Sequence, residues 1–211
     1  MKLMILGATG GTGTELVRQA LEAGHEVVAP VRNPAGMAVP AHERLSVIRL
    51  NVTDAAELTP HVEGRDAVIS AIGHRGGGPT TVCRDVARAA GAAMAKTGVR
   101  RLLLVSNSGM IIDENDAIYT RLLVKPLLKW FLRHGYADMA EMERETFATD
   151  LDWTVVRPPR LTDKPRTGRY RTATGHNVRN GMNLSRADLA HCVLSLAEDP
   201  ASIRKVVAVA D

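Results

Sequence analysis

The chain has 211 residues, a net charge of +4, 45% apolar residues and two cysteines. That length fits one large domain, and the apolar share excludes a disordered chain. No CxxC pair or HExxH occurs, no run approaches the ~20 apolar residues of a membrane span, and Leu3-Met4-Ile5-Leu6 is too short for a signal sequence, so a soluble cytoplasmic protein with Cys83 and Cys192 reduced is expected.

Strand-like and helix-like segments alternate along the chain. Lys2–Leu6 is a short apolar run ended by glycine, as in a buried strand. Thr12–Ala23 places Leu16, Val17, Ala20 and Leu21 at helical spacing, and Gly24 stops it. Glu26–Val31 and Leu45–Leu50 read as the second and third strands, and Asp54 caps a short helix through Val62. Asp66–Ile72 is a fourth strand, Thr80–Lys96 an alanine-rich helix and Arg101–Val105 a fifth strand. Tyr119–Arg133 and Asp138–Ala148 read as helices, and Trp153–Val156 as a sixth strand stopped by Pro158-Pro159. A last helix starts at Ser185 or Asp188, and Lys205–Val209 is a final strand. This order predicts an α/β fold over residues 1–211: a single domain with an open, mostly parallel sheet and helices on both faces. Two segments break the rhythm, Gly73–Pro79 and the basic stretch from Pro158 to about Asn183. Both follow strands, so both belong at the carboxyl edge, where open sheets bind ligands.

Gly7-Ala8-Thr9-Gly10-Gly11-Thr12-Gly13 lies between the first strand and the first helix. Glycines there let the backbone turn tightly and approach a pyrophosphate, and the helix start offers free N–H groups. The spacing is G-x-x-G-x-x-G, and the strand before and helix after it raise a weak motif to a dinucleotide site. After the second strand the run is Val31-Arg32-Asn33-Pro34, with no acid to accept from ribose hydroxyls. Arg32 suits the 2′-phosphate of NADP, with Asn33 beside it, against the plainer reading of a solvated arginine. Asn51 and Val52 are placed to meet the adenine, and Ala71, Ile72 and Gly73 to lie against the cofactor. Arg75 is placed to reach a phosphate or to be a free loop arginine.

Between Arg157 and Arg171 stand six basic residues, Arg157, Arg160, Lys164, Arg166, Arg169 and Arg171, opposed by Asp163 alone. The remainder of the chain is slightly acidic, so the charge points to an anionic ligand at one place. It also argues against nucleic-acid binding, since one loop carries the charge and few aromatics accompany it.

GATGGTG, VRNP, GHRGGGPTTV, VSNSG after the fifth strand and VVRPPRLTD after the sixth resemble the atypical short-chain dehydrogenase/reductase family. Within it the chain is similar, from about Met1 to Asp199, to the biliverdin reductase B and NADPH-dependent flavin reductase type, with NmrA-like proteins as relatives. The resemblance implies a Rossmann-like domain using NADPH and hydride transfer to a planar acceptor: a flavin such as FMN, a quinone or a tetrapyrrole. It places the active-site serine on Ser108 and brings Pro159, Arg160 and Leu161 beside the nicotinamide. The family pattern has a histidine where Arg160 stands and an aromatic near Met110. The Tyr-x-x-x-Lys pair of typical short-chain dehydrogenases is missing, because Tyr119 is followed by Leu123 and Tyr136 by Ala140. That spacing argues against a tyrosine acid and against epimerase or dehydratase chemistry.

Ser108 is expected to orient or relay, and Arg160 to bind an acidic tail of the acceptor, while Ser106 is a cofactor-binding candidate or, with Asn107, holds the turn. Arg121, Lys125, Lys129 and Arg133 recur every four residues and predict an amphipathic helix with a wet basic side, which Pro126 kinks or starts afresh. His191 and Cys192 point apart on a helix and read as packing residues. A non-catalytic NADP-binding sensor of the NmrA-like type is the second reading, and monomer and homodimer both stay open. No metal site is expected.

Overall fold

In the computed structural model, which describes residues 1–74, 76, 78–114, 121–122 and 125–211, β1 (Lys2–Leu6) is an inner strand of an eight-stranded sheet. Its alternating side chains divide the core. Leu3 and Ile5 pack on one face with α1 (Gly11–Glu22), and Met4 and Leu6 pack on the other. Leu16, Val17 and Ala20 of α1 are wholly buried, as their helical spacing requires, and a buried Leu or Val stabilises by roughly 1.5–3 kcal/mol.

β2 (Glu26–Val31) and β3 (Leu45–Arg49) extend the sheet to one side of β1. α2 (Ala55–Val62) follows, its N-cap Asp54 accepting from the Ala56 and Glu57 amides. β4 (Ala67–Ser70) pairs on the other side of β1, so chain order reverses between β1 and β4. α3 (Val82–Thr97), capped by left-handed Gly98, leads to β5 (Arg101–Val105). α4 (Lys125–Phe131) and α5 (Arg133–Phe147) precede β6 (Asp152–Arg157). Beyond it, β10 (Lys205–Ala210) pairs parallel to β6, and α6 (Arg186–Glu198) packs beside α1. The sheet order is β3-β2-β1-β4-β5-β6-β10 with a last strand, β8 (Arg171–Thr174), antiparallel to β10.

The segment from Pro158 to Asn183, expected as a loop, carries three short strands. β7 (Arg160–Thr162) pairs in parallel with β9 (Asn183–Ser185) apart from the main sheet, and β8 closes the sheet edge. Each is three or four residues long and pairs with a distant partner, so local periodicity hides it. Gly168 and Gly175, both at positive φ, bracket β8. The expected helix Tyr119–Arg133 starts outside the described residues. Its described part comprises Arg121 and Leu122, in a helical turn, and α4 from Lys125, with Pro126 as the second residue of α4. No helix among the described residues is long and apolar enough to cross a membrane.

Candidate functional site

At the reversal between β1 and β4 the glycine turn is built by close packing. Gly7 has φ +85, and a Cβ there would lie 3.0 Å from the Ala71 backbone. A Cβ on Gly13 would lie 2.0 Å from Gly7 O. These two glycines let helix, turn and the end of β4 meet. The Gly10 amide donates to Gly7 O at 2.9 Å, and the first helical bond runs from Thr14 N to Gly10 O at 2.7 Å. The N–H groups of Gly11, Thr12 and Gly13 precede that first bond and are the helix's open donors. No acid stands in the first turn of α1 and no side chain caps Gly10. A diphosphate therefore fits: open donors, a helix start and no side chain at Gly10 or Gly11.

Ala71 and Ile72 run alongside Gly7, Gly73 is exposed just beyond them, and a Cβ on Gly36 would touch Thr9 at 3.6 Å, so the segment after β2 closes on the turn. Arg32 is exposed at the end of β2. Asn33 accepts from Ala35 N, and Asn51 accepts from the Thr53 amide and hydroxyl, so both carboxamide oxygens hold their own turns. Thr12 is buried, and Val52 packs into the core with Leu50 and Leu58. Arg75 lies outside the described residues.

On the far side of β5 and β6 is a cavity of about 520 Å³, lined among others by Ser108, Tyr136, Pro159, Arg160, Asn177 and Met182. The Ser108 amide donates to Pro158 O at 2.9 Å, which ties the two strand ends together. Ser106 is buried, its hydroxyl 3.9 Å from Met110 Sδ, and Asn107 accepts from Gly109 N at 2.7 Å, so both hold the turn, the second of the two roles expected of Ser106. Leu161 joins the core at the edge of α6 rather than the cavity wall. Tyr136 stands over Gly109, where a Cβ would meet its hydroxyl at 2.5 Å, and burial raises the phenol above its ordinary range. Sequence spacing rejected Tyr136 because Ala140 follows it. The structure brings it to Ser108 from α5 by a long-range fold contact that no local pattern signals. A smaller cavity of about 190 Å³ adjoins, sharing Asn107, Leu132 and Tyr136 and reaching Gly73 and His74.

The basic stretch is neutralised in part. Arg157 forms a fork with Glu143, Nε to Oε1 at 2.9 Å and Nη2 to Oε2 at 2.5 Å. Arg171 donates to the Arg179 and Asp211 carbonyls, and Asp163 pairs with Arg186. Arg160, exposed, is the member of the expected cluster that lines the cavity without a carboxylate partner among the described residues. Asp188 anchors the following loop, accepting from the Thr167 and Gly168 amides and from the Thr167 and Ser185 hydroxyls. Burial opposes its charge, but those donors outweigh burial and hold the carboxyl below its usual range.

The expected wet basic side departs at Lys125, while Arg121 and Arg133 are exposed as expected. Lys125 is buried, and its ammonium donates to Ile111 O at 2.6 Å. Leu122, Leu127, Trp130 and Phe131 are exposed as well. Lys125 turns onto the Ser108 and Ile111 carbonyls rather than joining the stripe. His191 accepts or donates toward Tyr170 Oη at 2.7 Å, and Cys192 is buried with its thiol pushed up to about 12, which agrees with packing roles.

Comparison with known proteins bears on the glycine turn. Residues 7–200 match the NAD(P)H-binding family. The chain is 29% identical over 208 residues to the YwnB protein of Bacillus subtilis (strain 168), covering 95% of this chain and 93% of YwnB. The oxidoreductase ylbE from Lactococcus lactis superposes with a TM-score of 0.82 at 21% identity, over 100% of this chain and 91% of that one. A wide-type short-chain dehydrogenase/reductase from Veillonella parvula DSM 2008, solved in complex with NADP, superposes with a TM-score of 0.75 at 17% identity, over 100% of this chain and 94% of that one. The open turn at Gly7–Gly13, the sheet reversal beside it and the match over most of the chain agree: the protein belongs to the NAD(P)H-binding family and has its Rossmann-like fold.

Proposed function

We propose that the protein is an NADPH-dependent reductase that passes a hydride to a planar acceptor of the flavin or quinone type. The observation that carries this reading is the 520 Å³ cavity at the carboxyl edge, with Ser108, Tyr136 and Arg160 in its wall. Arg32 without a nearby acid favours the 2′-phosphate of NADPH, and the NADP complex of the Veillonella neighbour supports the same cofactor. Bound NADPH supplies the hydride; the side chains of this chain supply position and charge. Reduction leaves negative charge on the acceptor ring. Ser108 donates one hydrogen bond toward it, and Arg160 offers a permanent cation. Tyr136, whose raised pKa keeps its proton through neutral pH, acts as a hydroxyl donor and not as a base.

NADPH oxidation followed with FMN, riboflavin, menadione and biliverdin, and repeated with NADH, tests the reading. Turnover above the protein-free rate with at least one acceptor, faster with NADPH than NADH, is expected. Rates equal to the protein-free control for every acceptor would replace it by the sensor reading, which the exposed Leu127, Trp130 and Phe131 favour as a partner surface. Arg160→Ala should raise the KM for FMN about tenfold, the loss of a charge-assisted bond, and leave that for riboflavin, which has no phosphate, within about twofold. Equal effects on the two flavins would remove Arg160 from the phosphate.

A further inference from the structure

α6 opens on Arg186, a cation at the end of a helix where the macrodipole disfavours positive charge. Its side chain lies across the glycine turn. A Cβ on Gly11 would sit 2.7 Å from Arg186 Cδ and 2.9 Å from Nε, so Gly11 lacks a side chain where this arginine passes. The guanidinium is thereby fixed beside the N-terminus of α1, next to the open N–H groups of Gly11, Thr12 and Gly13. Its carboxylate partner is Asp163, at 2.6 Å, and Asp163 is 88% exposed. A pair with one solvated member is weak and readily exchanged.

We propose that Arg186 clamps the diphosphate of the dinucleotide, giving up Asp163 for phosphate oxygens when the cofactor binds. The arginine fork matches phosphate geometry, and the negative charge it meets there offsets its unfavourable place on α6. The glycine turn supplies backbone donors from one side and Arg186 a cation from the other. The inference rests on dinucleotide binding at the turn, and not on which acceptor the protein reduces.

Titration calorimetry with NADPH and with NADH, at one fixed ionic strength, tests it. Arg186→Ala should weaken both ligands by the same factor, about 10- to 100-fold, as loss of a charge-assisted contact predicts. Asp163→Ala, which removes the competing carboxylate, should tighten both about two- to fivefold, a gain that a purely structural arginine would not give. Thermal unfolding without ligand checks that each variant is folded, and Arg186→Gln stands in if the alanine variant is not. Unchanged affinity in the Arg186 variants overturns the proposal. Weakening confined to NADPH also overturns it, because Arg186 would then be reading the 2′-phosphate. A wild-type protein that binds neither dinucleotide overturns the binding reading itself, and is told apart by that.

Discussion

Replacing Gly13 by alanine should abolish measurable dinucleotide binding and lower the melting temperature by about 6–12 °C. The added Cβ would lie 2.0 Å from Gly7 O and 2.6 Å from Gly7 C, so two backbone segments must separate. Overpacking of this kind costs about 3 kcal/mol or more, and a chain of this size loses about 2–4 °C per kcal/mol. The separation also moves the amides of Gly11–Gly13 away from the turn, so binding falls with stability. Gly98→Ala is the control. It stands at φ +73 with open space around the Cβ, and should cost about 1 kcal/mol with cofactor affinity unchanged. Calorimetry and thermal unfolding of the two variants check both halves. A Gly13→Ala protein with wild-type affinity would show that the turn does not hold the dinucleotide.

Glu143→Ala should cost about 3–5 kcal/mol in urea unfolding, with a lower midpoint and an unchanged slope. Glu143 is 4% exposed and its partner Arg157 15% exposed, and the fork between them is the sole ion pair of either among the described residues. Alanine leaves a guanidinium stranded in the wall of the large cavity. Substituting both residues by methionine and leucine should recover most of the loss, because the cost lies in the unpaired charge and not in the absent pair. A single variant within 1 kcal/mol of the wild type would mean that water reaches Arg157 freely. The pair also sets the end of β6, from which Pro158, Pro159 and Arg160 lead into the cavity, so acceptor binding should weaken in the same variant.

Where function uses local backbone, the residues announce it. The turn Gly7–Gly13 requires small residues at fixed offsets, the apolar spacing of α1 and α3 is regular, and the strands of the parallel sheet are short uninterrupted apolar runs. Ser108 and Arg160 were legible through their motifs after β5 and β6. What could not be read locally depends on pairing across the chain. β7 and β9 are 20 or more residues apart, Tyr136 reaches the cavity from α5, and Lys125 is drawn inward by carbonyls after Ser108. The charge of the stretch around Arg160 is partly neutralised for the same reason. Its sum is visible in the sequence, but Glu143, which neutralises Arg157, lies 14 residues earlier on another element. Arg186 did leave a signal, a basic residue just after the helix-capping Ser185, where a helix prefers an acid.

The two cysteines give the fold a use beyond chemistry. Cys83 lies on α3 under one face of the sheet and Cys192 on α6 under the other, each 2% exposed, with both thiols raised to about 12, mainly by burial. Only a thiolate reacts, and neither forms in the closed structure near neutral pH. Each therefore reacts only when its own helical layer lifts from the sheet. The molecule carries an internal gauge on each side, and their labelling rates separate the local opening of the layer that bears the glycine turn from that of the layer opposite.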